Sequence, residues 1–241
     1  MSIGDLQDMH VHSRFSDGAN TIEENVEEAE RIGLRELTCV DHVREGTTWV
    51  PEYATAVGRV ATQTPLVLRC GIEAKLLDTA GLLDLPPGGL SGVDLIYAAD
   101  HQVPLAGGPA HPREVRERLA AGTLTTDAVV ESIVRATATA IHRHPHVVVI
   151  AHLFSVLPKL GLSEADVPAP LVGALADAAA ESGAQIEISE RWCCPSAATL
   201  KPFVARGVPV LLSTDSHRRE TIGRYDYAAD VVHELQADAA A

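Results

Sequence analysis

Aromatic side chains are scarce in this 241-residue chain: two Trp, three Phe and four Tyr, 4% in all. A core of domain size must therefore be assembled from Val, Leu, Ile and Ala. Cysteine is nearly as rare. Cys39 and Cys70 sit inside apolar runs, Cys193 and Cys194 are adjacent, and no C-x-x-C spacing occurs. That excludes a disulfide framework and a zinc knuckle, and leaves free thiols in a reducing compartment as the expectation. No apolar run approaches the roughly 20 residues of a membrane helix, and the opening Met1-Ser2-Ile3-Gly4-Asp5 lacks a signal-peptide core. A cytoplasmic protein with no membrane partner is expected. Positive charge is the other shortage: 19 Lys and Arg stand against 33 Asp and Glu, a formal net charge of −14. This balance argues against a broad nucleic-acid surface, which needs clustered Lys and Arg. It does not exclude a small anion, because bound divalent cations reverse the sign locally.

What the chain has instead is histidine in a pattern. His10-Val11-His12 lies on an extended segment, where alternation turns both imidazoles to one face and lets them share a metal ion. Ser16-Asp17-Gly18 reads as a turn after it, and Thr21-Ile22-Glu23-Glu24 opens a helix with a capping box. Six further β-type runs follow. Leu37–Val40 ends in Asp41-His42, Leu66–Ile72 in Glu73, and Leu95–Ala99 in Asp100-His101. Val147–Ala151 ends in His152, Gln185–Ile188 near Glu190-Arg191, and Pro209–Ser213 in Thr214-Asp215-Ser216-His217. Helices are expected over Glu52–Thr62, Thr125–Arg143, Leu171–Glu181, Ala197–Arg206 and Tyr227–Leu235. Gly81–Gly92 reads as a hairpin or loop excursion, and the stretch through Gly107-Gly108-Pro109 as a Pro/Gly-rich loop leading to the long helix. There is no internal repeat, linker or second domain, so residues 1–241 are expected to form one domain with a disordered tail at about 237–241.

Strands alternating with helices indicate an α/β fold with a parallel sheet. An open sheet gathers ligand residues at one switch point, whereas a barrel collects them from the C-terminal ends of most strands. Here every run delivers His, Asp or Glu at that end, which favours a barrel. Six of the eleven histidines (His10, His12, His42, His101, His152 and His217) lie there, joined by Asp17, Asp41, Glu73 and Asp215. A polar residue must follow each apolar run, but chance predicts a mixture with Ser, Lys and Asn, not repeated imidazoles. His111, His142, His144, His146 and His233 fall in loops, at a helix end or in the last helix, and are expected to be surface groups.

The order His-x-His, Ser-Asp-Gly, Asp-His, Gly-x-Glu, His, His and Asp-x-His resembles the PHP (polymerase and histidinol phosphatase) family over essentially the whole chain. The resemblance implies a distorted seven-stranded, TIM-like (β/α) barrel with two or three divalent metal ions, for which Zn, Mn and Fe all suit mixed N/O ligands. It implies that His10 and His12 bind one metal with Glu73 and Asp215, and that Glu73 bridges to a second held by His101 and His152. A third would lie between His42, His217 and Asp17. Asp41 is either a further ligand or a partner that orients an imidazole. The implied activity is phosphoester hydrolysis by metal-activated hydroxide, in line and without a covalent intermediate. Glu73, Asp215 and His217 are its expected catalytic residues. A phosphomonoester of a small metabolite, of which histidinol phosphate is one candidate, is preferred to a diester.

Arg191 and Arg218 follow strand ends and are the expected substrate-binding cations, with Arg14, Arg219, Lys75 and Lys159 as weaker candidates. Glu187 is expected to point into the barrel, Glu190 to pair with an arginine or touch substrate, and Trp49 to wall a pocket. Two other readings remain open. One is metal-assisted C–N hydrolysis, for which Lys75, on the same face as Glu73, is the residue to inspect. The other is a non-catalytic, metal-stabilised barrel. The oligomeric state is not legible.

Overall fold

The computed structural model describes residues 6–144 and 147–239. The chain runs β1 (Gln7–Val11), α1 (Ile22–Arg31), β2 (Glu36–Val43), α2 (Val50–Ala61), β3 (Val67–Lys75) and β4 (Leu95–Ala99). A two-stranded antiparallel hairpin follows, β5 (Val103–Leu105) and β6 (Gly108–Ala110), then α3 (Pro112–Ala120) and α4 (Thr126–Arg143). The rest is β7 (Val147–Ala151), α5 (Leu157–Leu160), α6 (Ala169–Ser182), β8 (Gln185–Ser189), α7 (Ala197–Ala205), β9 (Val210–Ser213) and α8 (Tyr227–Ala239). Seven strands form one parallel sheet in the order β1-β2-β3-β4-β7-β8-β9. It curls into a nearly closed α/β barrel. The seam between β9 and β1 is joined just past their C-terminal ends, where His12 N–H donates to Ser216 O (2.8 Å) and Ser216 N–H to His10 O (3.2 Å).

Alternation along the strands divides the apolar residues into two sets. One set faces inward and fills the barrel: Met9, Val40, Leu95, Tyr97, Ala99, Val149, Ala151 and Leu211. The other, including Leu37, Ile72, Ile96, Ile150 and Ile186, faces outward and packs with helix residues such as Val26, Val57, Ile133, Leu175 and Phe203. Being buried on both faces explains why the strands read as almost continuous apolar runs. Tyr97 is the one aromatic ring in the inner set, and Gly71 makes room for it: a Cβ there would lie 3.0 Å from its Cε2. The Tyr97 hydroxyl donates to Met9 O. No helix among the described residues is long and apolar enough to cross a membrane.

Several local expectations are corrected. β2 and β3 continue through Asp41-His42 and Glu73, because these polar groups find partners, Asp41 in the turn after β1 and His42 and Glu73 inside the barrel, and the ladder need not stop before them. The stretch after Gly108 is a helix, α3, not a loop. Its sequence PREVRERLA buries only Pro112 and Val115, so it carries no apolar stripe. Its N-terminus is defined by Pro in the first turn and by the His111 side chain, whose Nδ1 accepts the Arg113 N–H (3.2 Å). The tail expected from about residue 237 is helical through Ala239, since Ala propagates a helix better than any other residue. Residues 240 and 241, His146 and the opening Met1–Asp5 lie outside the described residues.

Candidate metal centre

β1 ends by presenting His10 and His12, both fully buried, with their Nε2 atoms 3.1 Å apart. The turn after it aims Asp17 back at them. Asp41 holds that turn: its carboxylate accepts Ser13 N–H (3.0 Å), Ser13 Oγ–H (2.6 Å), Ser16 N–H (3.1 Å) and Ser16 Oγ–H (2.5 Å). Burial pushes Asp41 up to about 6, against those hydrogen bonds. Neither expected role for Asp41 is seen, since its oxygens are taken by the serines and not by an imidazole. Gly18 closes the turn against the backbone of His12. A Cβ there would come within 2.5 Å of His12 carbonyl atoms.

Glu73, on β3, is the hub. Its Oε2 faces His42 Nδ1 (2.8 Å), His10 Nε2 (3.5 Å) and His12 Nε2 (3.6 Å). Its Oε1 faces His101 Nε2 (3.0 Å) and His152 Nε2 (2.9 Å). Asp215 Oδ1 lies 3.1 Å from His12 Nε2 and 3.5 Å from His217 Nδ1. Asp17 gathers the outer group, with oxygens 3.6 Å from His12 Nδ1, 3.6 Å from His42 Nε2 and 3.3 Å from His217 Nε2. The structure thus brings together all nine residues named from the sequence as metal-site residues. Two of them, His152 (φ +28°) and Asp215 (φ +51°), take left-handed backbone conformations just past the ends of β7 and β9. Such strain persists only where the surroundings impose it, and it clusters at functional sites.

A layer of supporting groups surrounds this cluster. Glu187, fully buried on β8, faces His10 Nδ1 (3.0 Å) and accepts His152 N–H (2.8 Å) and Ser213 Oγ–H (2.7 Å). Ser155 Oγ donates to Asp100 (2.7 Å) and lies 2.9 Å from His152 Nδ1. Trp192 Nε1–H donates to Asp215 Oδ2 (2.7 Å), with its ring 5.8 Å from that of His152. Asp100, Ser155 and Trp192 were not singled out as site residues from the sequence. Asp100 and Ser155 flank His101 and His152, which is the only local signal they carry.

The electrostatics call for cations. Burial would raise Glu73 and Asp215, but the imidazoles around them hold both carboxyls well below the usual range. Burial and the neighbouring His10 bring His12 down to about 4, despite the Asp215 carboxylate, so it offers a bare nitrogen. Burial opposes a charged His10 or His152. The Glu187 and Glu73 carboxylates nonetheless raise His10 well above its ordinary value, and Asp100 with Glu73 raises His152 to about 10. Positive charge is therefore favoured on the His10 and His152 rings beside Glu73, while His12 stays neutral. Two buried atoms aimed into the cluster, His12 Nδ1 and Asp215 Oδ1, have no hydrogen-bond partner among the described residues. Three sets of ligand atoms lie close enough to hold an ion: His12-Asp17-His42-His217, His10-His12-Glu73 and His42-Glu73-His101. Mixed imidazole and carboxylate donors suit Zn, Mn or Fe, and the residues fit divalent metal binding.

A cavity of about 470 Å³ adjoins Asp215 and His217 and is lined by Arg191, Arg218 and Arg224. Arg191 donates to His217 Nδ1 (2.6 Å), and Arg218 lines the same cavity. Arg14 and Arg219 turn elsewhere, to Ala19 O and Glu24 and to Glu220. Among the described residues Glu190 does not pair with an arginine; it accepts the N–H groups of Asp226, Tyr227 and Ala228 at the start of α8 and lies in the wall of the Arg191 cavity. Trp49 packs on Phe15 and Tyr53 and walls a cavity shared with Asp17 and His42. Lys75 points to Asp84 (3.8 Å).

With the geometry in place, comparison with known proteins is informative. A family model described as PHP domain matches residues 8–151, more than half of the chain. A protein named "Probable phosphatase" from Acetivibrio thermocellus is 25% identical over 243 residues, covering 95% of this chain and 86% of its own length. One from Caldanaerobacter subterraneus subsp. tengcongensis, also named a probable phosphatase, is 27% identical over 242 residues, covering 95% and 82%. Among solved structures, histidinol phosphate phosphatase from Lactococcus lactis subsp. lactis, complexed with zinc, L-histidinol and phosphate, superposes with a TM-score of 0.66 at 17% identity, covering 97% of this chain and 92% of that one. The likeness extends to the whole barrel.

Proposed function

Because the chain belongs to the PHP domain family, we propose that it is a metal-dependent phosphatase that cleaves the monoester of a small phosphorylated metabolite. The observation that carries this reading is the division of Glu73, one oxygen facing His10, His12 and His42 and the other His101 and His152. A carboxylate shared in this way is what a bridge between two cations requires. In this reading His10, His12, Glu73 and Asp215 would hold one ion, Glu73, His101 and His152 a second, and Asp17, His42 and His217 a third.

Bound divalent ions, whether zinc, manganese or iron, supply a water acidified to a pKa of about 7 and neutralise phosphoryl oxygens. The remaining work falls to the chain. Glu73 fixes the spacing of the imidazoles. Glu187 and the Ser155–Asp100 pair grip the far nitrogens of His10 and His152, which locks ring orientation. Asp215 stays ionised, anchored through Oδ2 by Trp192, and its unsatisfied Oδ1 is free to accept a hydrogen bond from an attacking water. Arg191 N–H donates to His217 Nδ1, which leaves the ring proton on Nε2 toward Asp17; holding an ion through Nε2 would put that proton on Nδ1 instead, where Asp215 O lies 2.9 Å away to accept it. Arg191 and Arg218 line the adjoining cavity, whose volume suits a small molecule, and their guanidinium groups match phosphate geometry. Four free thiols suit the reducing cytoplasm as its place of action.

The test is elemental analysis of tag-free protein together with hydrolysis of an aryl phosphate, for wild type and His10→Ala. Two or three equivalents of metal, with turnover lost in the variant, are expected. A wild type without metal and without turnover after reconstitution would overturn the reading.

A further inference from the structure

Resting on that reading, we infer that the substrate carries a second anionic group, phosphate or carboxylate, seated in a basic cavity beside His101. The cavity has a volume of about 590 Å³, lies on the β3–β4–β7 side of the cluster and shares no lining residue with the one that holds Arg191. Lys75, Arg113, Arg116 and Lys159 line it, with His101 and His111, and no carboxylate does. The Arg191 cavity, by contrast, includes Glu190, Asp215 and Asp226 in its wall. In a chain with 19 Lys and Arg against 33 Asp and Glu, four cations around one acid-free cavity next to the candidate metal ligands are not the pattern of an evenly solvated surface.

Three separate elements deliver these cations. Lys75 follows Glu73 by two residues on β3, hence on the same face and about 7 Å farther along the strand. Its one acidic neighbour, Asp84, is at 3.8 Å. Arg113 and Arg116 come from the first turns of α3, and of these only Arg113 has an ion pair among the described residues, with Glu117 at 3.1 Å. Lys159 comes from α5, its ammonium 4.2 Å from the centre of the Trp192 ring. That same Trp192 donates to Asp215, so the position of Lys159 is tied to the cluster through one rigid side chain. His101 belongs to both places, 3.0 Å from Glu73 and in the cavity wall. A phosphoryl group on the metals and an anion among these cations would therefore be ends of one short molecule.

Three substrates separate the possibilities: butyl phosphate, 4-phosphooxybutanoate and 1,4-butanediol bisphosphate, each with metal-replete wild type and with the double variant Arg113→Gln/Arg116→Gln, both from α3. Wild type should favour at least one doubly anionic substrate over butyl phosphate by roughly tenfold per engaged cation, the size of one charge-assisted hydrogen bond. The variant should lose that preference and keep its butyl phosphate kcat/KM within about twofold, as expected for groups remote from the reacting phosphoryl. A higher rate on the bisphosphate than on the carboxylate assigns the second group as phosphate, and the reverse assigns it as carboxylate. Equal kcat/KM for all three in wild type, or an equal loss on all three in the variant, would overturn the inference while leaving the phosphatase reading intact. If none is hydrolysed, that reading fails instead. Calorimetric titration of butane-1,4-bisphosphonate into chelator-treated protein still reports on the cavity. Binding weakened by the double substitution supports the inference, and binding no tighter than that of butylphosphonate overturns it.

Discussion

Toward the N-terminal ends of its strands the barrel interior holds Met9, Val40, Leu95, Val149 and Leu211; a few residues farther along the same strands it holds His10, His12, His42, Glu73, His101, His152 and Asp215. The step from one regime to the other is two residues on β2, from Val40 to His42, and it hinges at β3 on Gly71 and Glu73. The apolar half is complete in itself, the Tyr97 hydroxyl bonded to Met9 O and that of Thr38 to Met9 Sδ. The polar half leaves His12 Nδ1 and Asp215 Oδ1 without hydrogen-bond partners among the described residues and keeps two carboxylates ionised in a buried place. One half is built to hold the barrel; the other is finished only by cations. Buried unpaired polar groups are costly, so the apolar half must supply stability that the polar half consumes.

That contrast can be broken from either side. Glu73→Gln removes the shared carboxylate, and we expect about a thousandfold or greater loss of phosphatase turnover, as for removal of a metal-bound transition-state stabiliser. Elemental analysis should show at least one ion missing, with the circular dichroism of the barrel unchanged. Turnover within tenfold of wild type would remove Glu73 from its central place. Tyr97→Ala attacks the other half. It should cost about 3–5 kcal/mol in urea unfolding, the usual figure for a large aromatic truncated in a core, with metal content at low urea preserved.

Chelation tests whether the polar half gains stability from cations. Metal present at a hundred times its Kd should add about 2.7 kcal/mol, and this increment should shrink in Glu73→Gln but persist in Tyr97→Ala. An equal increment in both variants would mean that the ions bind elsewhere. Glu187→Gln is the smallest change, keeping the shape and weakening the grip on His10 Nδ1. Metal affinity should fall about 10- to 100-fold, the range for a carboxylate that orients a ligating histidine, as read by competition with a chromophoric chelator.

The barrel was legible because seven apolar runs each met an imidazole or a carboxylate, a rhythm that survives in the sequence without any knowledge of contacts. The interior division was legible for the same reason, since strand alternation makes Val40, His42 and Gly71, Glu73 neighbours on one face. What was not legible depended on partners far away in the chain. Asp41 looks like a ligand beside His42, but Ser13 and Ser16 lie some 25 to 28 residues before it and claim its oxygens. Glu190 looks like a partner for an arginine until the start of α8 claims its oxygens. The α3 helix escaped notice because its charged sequence buries so little, and the β5–β6 hairpin because each strand has three residues. Trp192 gave no sign at all that it would join Lys159 to Asp215.

The seam between β9 and β1 carries a consequence for how the protein comes into being. Its two hydrogen bonds run between His10, His12 and Ser216, so the residues that zip the cylinder shut are, or adjoin, those that would grip the ions. On a ribosome His10 and His12 emerge early, while Asp215 and His217 follow some 200 residues later. Until they do, the cylinder is an open trough and the first two imidazoles wait without their partners. Ring closure and completion of the ion cradle then become a single late event in the life of each new chain.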